Sequence, residues 1–248
     1  MKTKNPEITN KTTYFYHMMK TGGRSVYGSF AHYLSNTKCG DANGCSVTSC
    51  EYPNSSCLLA RQAINGQFQE NYPSVGKLFS GGHTPFWHEG GRVRQYDYTI
   101  TVIRDPLSRL LSHYRMLQQI YQFDQRSENN DPSDDPKWVI NGFDYFIKKF
   151  PKEFRLHQLH FFSPSYNVDE AFDNITKCSQ IIRTENQQEG FDQFALKSRI
   201  QLTEIVSGAT AIKEHDLSAD QVEKLREILE PEYDFYEKVI KYYNRTYI

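Results

Sequence analysis

Two stretches of this 248-residue sequence combine residue types that can hold an anion. The first is His17-Met18-Met19-Lys20-Thr21-Gly22-Gly23-Arg24-Ser25. Glycines between a strand and a helix let consecutive backbone N–H groups converge on one anion. The positive end of the following helix adds to that attraction. Lys20 brings a full charge, and Thr21 and Ser25 bring hydroxyl donors. The lysine precedes the glycines, so this is not a Walker A loop. The second stretch runs from Val102 through Arg104-Asp105-Pro106 to Ser112. Arg104 falls at the carboxyl end of a strand, where parallel sheets place their ligands. A guanidinium and a hydroxyl together can grip a phosphate through charge-assisted hydrogen bonds. Each stretch has a plain structural reading as well: a strand-to-helix turn with a solvated lysine, and a capped helix with surface arginines.

The elements that must position these residues are legible in outline. Thr13 to Met19 is rich in β-branched and aromatic residues and predicts a buried first strand. Val26, Phe30, Tyr33 and Leu34 then fall on one helical face. Lys77 to Gly82 predicts a short strand, and Tyr98 to Ile103 a longer one. Asp105 is placed to cap the next helix, with Pro106 in its first turn and Leu110, Leu111, Tyr114 and Leu117 on its buried side. Residues 127–137 are acidic and proline-interrupted, which predicts a mobile loop. Phe143 to Phe162 predicts helical stretches split at Pro151, and Gln180 to Thr184 another strand. Ser218 with Gln221 forms a capping box, and Pro231 is expected to break or restart the helix it opens. There is no internal repeat. Alternating strands and helices predict one α/β domain over residues 1–248, a parallel sheet covered by helices on both faces.

Composition narrows the partners. A formal net charge of −1 argues against a general nucleic-acid binder, so an anionic ligand must be held by a local basic site. No apolar run approaches the roughly 18 residues that span a bilayer, and the first residues carry no signal-peptide core. Read literally, that is a cytosolic protein. The cysteines point the other way. Cys39, Cys45, Cys50 and Cys57 crowd into a polar insertion over residues 39–73, in no common zinc spacing. Two disulfides there would imply a secretory compartment such as the Golgi lumen, with any membrane anchor outside this chain. Sequons at Asn10, Asn54, Asn174 and Asn244 lean the same way. No cluster of ligands predicts a metal site.

Together, the two stretches resemble the carbohydrate sulfotransferases that use 3′-phosphoadenosine-5′-phosphosulfate (PAPS), most closely the uronyl and heparan sulfate 2-O-sulfotransferase group. Lys20-Thr21-Gly22-Gly23-Arg24-Ser25 looks like the family loop that binds the 5′-phosphosulfate, with the lysine near the bridging oxygen. Arg104 and Ser112 match the family pair that binds the 3′-phosphate. Gly82-His83-Thr84-Pro85-Phe86 is similar to a segment whose histidine is the catalytic base. The resemblance continues weakly through Phe161-Phe162, Arg183-Thr184-Glu185 and the closing helix, and it implies a P-loop-type domain. It further implies transfer of a sulfuryl group to a hydroxyl, on a carbohydrate, without magnesium. Arg24 stands where relatives often carry Thr or Ser, and the cysteine insertion matches nothing in the family. Competing expectations are a catalytically silent protein that binds PAP (the desulfated product) or a glycan, a P-loop small-molecule kinase, and a lipid or small-metabolite acceptor. His17 is expected as a packed core residue that could also approach the loop, and His88, His113, His157 and His160 have no assigned role. Arg92, Arg94 and Arg115 are either acceptor contacts or solvated, and Glu185 either orients a neighbour or caps a helix.

Overall fold

The computed structural model describes residues 11–36, 79–88, 96–123, 135–205 and 217–247. Four parallel strands form its sheet: β1 (Thr13–Tyr16), β2 (Phe79–Gly82), β3 (Tyr98–Ile103) and β4 (Gln180–Arg183), in the order β2-β1-β3-β4. Strand β1 is paired on both sides, Thr13 to Tyr16 lying opposite Phe79 to Gly82 and opposite Tyr98 to Thr101. All four of its residues are buried. The helices are α1 (Gly23–Asn36), α2 (Pro106–Phe123), α3 (Gly142–Lys149), α4 (Lys152–Arg155), α5 (His157–Phe162), α6 (Val168–Ile175), α7 (Gln187–Ser198) and α8 (Ala219–Tyr247).

Side chains alternate across the sheet, as the two-residue strand period requires. Phe15, Ile100, Val102 and Ile182 pack with Val26 and Phe30 of α1 and with Phe191 and Phe194 of α7. On the other face Tyr14, Tyr16, Ile103 and Ile181 meet Leu159 and Phe161 of α5, Ala171 of α6, and Phe235, Val239 and Tyr243 of α8. A third cluster joins α2, α3 and α8 through Leu110, Leu111, Phe146, Ile147, Leu225 and Leu229. The α/β architecture with helices on both faces is therefore the one the sequence predicts.

The chain leaves β1 for β2 on one side and leaves β3 for β4 on the other. Connections that diverge in this way open a crevice beyond the carboxyl ends of the two strands, the usual ligand position in open α/β sheets. That crevice lies between the residues following Tyr16 and those following Ile103.

Several local expectations change. Strand β1 ends at Tyr16 and not at Met19, because its partner β2 ends at Gly82. One further backbone hydrogen bond, from His17 N to the Gly82 carbonyl at 3.0 Å, closes the edge before the chain turns. Pro231 lies inside one continuous helix, α8, which neither breaks nor restarts. Leu225 and Leu229 before it and Phe235 and Val239 after it are all buried, and that packing outweighs the lost hydrogen bond. Pro136–Trp138 forms a short 3₁₀ turn where the sequence predicts the end of a mobile loop. The cysteine insertion over residues 39–73, the rest of the 127–137 segment apart from residues 135–137, and the sequons at Asn10 and Asn54 lie outside the described residues. Asn174 uses its side-chain amide to donate to the Phe162 carbonyl at 2.8 Å, and Asn244 is exposed on α8. Among the described residues, no helix is long and apolar enough to cross a membrane.

Candidate functional site

Between β1 and α1 the backbone makes a tight turn with two left-handed residues, Lys20 at φ 65° and Gly22 at φ 87°. A glycine adopts this region without cost, whereas a lysine there is held by its surroundings. Arg104 supplies one restraint, its Nη1 donating to the Lys20 carbonyl at 3.2 Å. Thr184, just past β4, supplies another. Its hydroxyl is 2.6 Å from the Thr21 carbonyl and 3.0 Å from the Ile103 carbonyl, so it links the ends of β1 and β3. Gln187 Nε2 donates to the Gly22 carbonyl at 3.3 Å. A side chain at Gly22 would meet that nitrogen at 2.5 Å.

The hydroxyls of the turn are used unequally. Thr21 is fully buried and donates to the Met18 carbonyl at 2.9 Å, so this hydroxyl is committed to the turn and is not presented as an anion donor. Ser25 Oγ is buried without a protein partner, and Arg24 is exposed. Ser25 N donates to the Gly22 carbonyl at 3.0 Å, and the N–H groups before it, at the start of α1, have no acceptor one helical turn back. An orphan hydroxyl beside those donors suits a phosphate or sulfate oxygen.

His17 and His83 face each other at the end of β1 and β2, with ring centroids 4.2 Å apart. His83 is exposed, while His17 is wedged between the rings of Phe15 and Tyr27, at 5.1 and 5.2 Å. Its imidazole also lies against Gly23. Burial holds His17 well below the usual histidine range, with the charges of His83, His157, Lys20 and Arg24 adding in the same direction. His157, at the start of α5, is likewise held down, chiefly by burial, then by Arg109 and His83. Burial and the neighbouring positive charges thus favour the neutral form of the His17 imidazole.

Arg104 is half-buried, and burial pulls its pKa down from the usual guanidinium value without approaching neutrality at any ordinary pH. Gln158 of α5 holds its backbone from both sides, accepting from Arg104 N at 2.8 Å and donating to the Arg104 carbonyl at 2.9 Å. Gln158 also donates to Glu232 of α8 at 3.1 Å. Glu232 in turn accepts from Arg109 Nε at 3.0 Å, an ion pair with no solvent exposure on either side chain. Arg109 donates further to the carbonyls of Phe154 and Arg155. Burial pushes the Glu232 carboxyl upward against the pull of Arg109. Asp105 caps α2 as the sequence predicts, accepting from Ser108 N at 2.8 Å. Glu185 accepts from Asp105 N at 2.9 Å and so braces the same corner. Ser112 is buried one turn beyond Ser108 and Arg109 on α2, and no hydrogen bond joins it to Arg104 among the described residues.

Lys20, the glycine turn, Ser25 and Arg104 thus lie at the crevice between β1 and β3, and His83 lies beside His17 at the end of β2. His17 is packed and also approaches the turn, lying against Gly23, both of which the sequence allows, and Thr184 and Gln158 act as supports. The signal for His17 was its place between the strand and Lys20; nothing in the sequence marks Gln158 or Glu232. Arg115 is half-buried on α2, and Arg92 and Arg94 lie outside the described residues. Among the described residues no cluster of three or more His, Cys, Asp or Glu could hold a metal ion. No protein-family model matches the sequence, and no curated protein matches it either.

Proposed function

We propose that this protein is a sulfotransferase that moves a sulfuryl group from PAPS to a hydroxyl of a carbohydrate. The observation that carries the reading is the meeting of Lys20, the orphan Ser25 hydroxyl and the His17–His83 pair at one sheet edge, with Arg104 tied to the same turn. Bound PAPS supplies an activated sulfuryl group: its sulfur–oxygen bond to the 5′-phosphate breaks as sulfur joins the acceptor oxygen, releasing PAP. The N–H groups at the start of α1, with Ser25, hold the 5′-phosphate. Lys20 stabilises negative charge where it develops on the leaving oxygen. Arg104 retains guanidinium donors beyond the one given to Lys20, and these engage the 3′-phosphate together with Ser112. His83, exposed at the end of β2 beside His17, takes the proton of the attacking hydroxyl.

The test is transfer of labelled sulfate from PAPS to a panel of glycans and small alcohols, alongside PAP affinity by calorimetry. His83→Ala is expected to bind PAP as the unaltered protein does and to lose turnover by roughly 10²–10⁴-fold. Lys20→Ala is expected to weaken both, because its charge meets the bound ligand and the developing charge alike. Near-normal sulfation by folded His83→Ala protein refutes the assignment of the base. Failure of PAP to bind refutes the reaction class.

A further inference from the structure

Trp87 stands four residues after His83 and remains 39% exposed, at the tip of a turn over Pro85–His88. The turn is pinned from below. Phe86 N donates to the Phe161 carbonyl at 2.9 Å, and His88 N to the Pro85 carbonyl at 3.0 Å. The indole itself is fixed, because Trp87 Nε1 donates to the His160 carbonyl at 2.9 Å. Its polar atom is thereby satisfied, and what it shows to solvent is apolar ring surface held in one orientation. Around it lie the rings of His88 at 5.3 Å and His160 at 5.9 Å. His160 stacks on Tyr166 at 5.0 Å, and Lys152 sits 4.1 Å over the Tyr166 ring. Tyr166 has φ 59°, a left-handed conformation that packing must impose on a tyrosine. Such outliers gather at binding sites.

We propose that Trp87, with His88, His160 and Tyr166, is the platform on which the acceptor sugar chain lies. The inference rests on the sulfotransferase reading, in which His83 is the base. Four residues span at most about 14 Å, and a turn less, so a sugar on the indole has its neighbours in the chain within reach of His83. Helix α5 connects the two places, since its residue His160 anchors Trp87 and its first residue, His157, lies within the electrostatic reach of His83. The chemistry selects the ligand. A rigid indole face takes the C–H face of a pyranose, while His88, the Tyr166 hydroxyl and Lys152 on the rim offer partners to ring hydroxyls. An alkyl chain would instead call for a concave, largely apolar lining. Of the other large hydrophobic side chains exposed among the described residues (Tyr121, Ile140, Leu196 and Ile205), none lies within ten residues of His83 in sequence.

The protein contains two tryptophans, so Trp138→Phe leaves Trp87 as the only indole reporter. Titration of that variant with maltotetraose, with an unsulfated chondroitin tetrasaccharide and with 1-octanol should change the Trp87 emission for at least one oligosaccharide and not for octanol. In the transfer assay Trp87→Ala should raise the KM for the sugar acceptor about tenfold or more, the scale of truncating an aromatic anchor. Trp87→Phe, which keeps a ring, should recover most of that loss, and the PAP-induced shift in melting temperature should persist in both. Emission indifferent to both oligosaccharides, or an equal response to octanol, overturns the platform. So does sulfation by Trp87→Ala at an unchanged KM, an outcome that leaves the sulfotransferase reading standing. A saccharide response at Trp87 without any sulfate transfer supports the platform and refutes the reaction.

Discussion

Gly23→Ala offers a sharp test of how the site is built. A methyl group placed on Gly23 would lie 1.9 Å from His17 Nε2, 2.2 Å from Cδ2 and 2.6 Å from Cε1. Ordinary carbon contacts need about 3.5–4.0 Å, so the imidazole must move by more than 1 Å. It has little room to do so, with Phe15 and Tyr27 against it and His83 at 4.2 Å. Overpacking of this kind costs about 1–3 kcal/mol, which in a domain of this size lowers the melting temperature by roughly 2–12 °C. Displacing His17 also disturbs the turn and the paired His83, so the PAP-induced stabilisation should shrink together with turnover. The assay is thermal unfolding with and without PAP for Gly23→Ala, His17→Ala and the double variant. Removing the ring should relieve the clash, so the double variant should be more stable than the two single effects sum to, by at least about 0.5 kcal/mol. A Gly23→Ala protein that melts like the original, with no coupling to His17, refutes the picture of an imidazole wedged against the turn.

Arg104→Ala should abolish the preference for PAP over AMP in melting-temperature shifts; a preference that survives removes the 3′-phosphate contact. Glu232→Ala leaves Arg109 buried without its countercharge and should cost about 3–5 kcal/mol, read from urea unfolding. Acid should destabilise the fold through His17 and His157, both held well below the usual range by burial. The unfolded chain binds those protons near pH 6.5 and the folded chain only at lower pH, so stability should fall as pH drops below about 6.5. His157→Gln should flatten that slope, measured by denaturant midpoints between pH 5 and 7.

The parts of the fold legible in the sequence were those whose signals are local. Strand β3 reads from Tyr98 to Ile103 because six consecutive residues favour a strand buried on both faces. The Asp105 cap and the Ser218–Gln221 box are short-range hydrogen bonds, and both form. Helix α6 has no signal among those the sequence offers, and α7 is foreshadowed only by Glu185 as a candidate cap, without its bounds. Helix α7 carries polar residues along most of its length and is ordered by Phe191 and Phe194 against the sheet. Pro231 stays within α8 for the same reason, since tertiary packing and not propensity decides that helix. At the site, the glycine turn, His83 and Arg104 announce themselves by residue type at strand ends. The supports do not, because Gln158, Thr184 and Glu232 reach Arg104 or the turn from 54 to 163 positions away along the chain, directly or through one another.

The link from Arg104 through Gln158 to Glu232 also sets an order of events during synthesis. The chain is synthesised from its amino terminus, so the glycine turn and β3 are made early, whereas a domain folds as a unit. Arg109 and Gln158, however, have no carboxylate to bind until residue 232 is available. A nascent chain halted before that point carries an unpaired guanidinium in its interior, and the support behind Arg104 is incomplete. The ion pair behind Arg104 is therefore a late acquisition of the growing polypeptide, and termination before residue 232 should yield chains less stable than the full one.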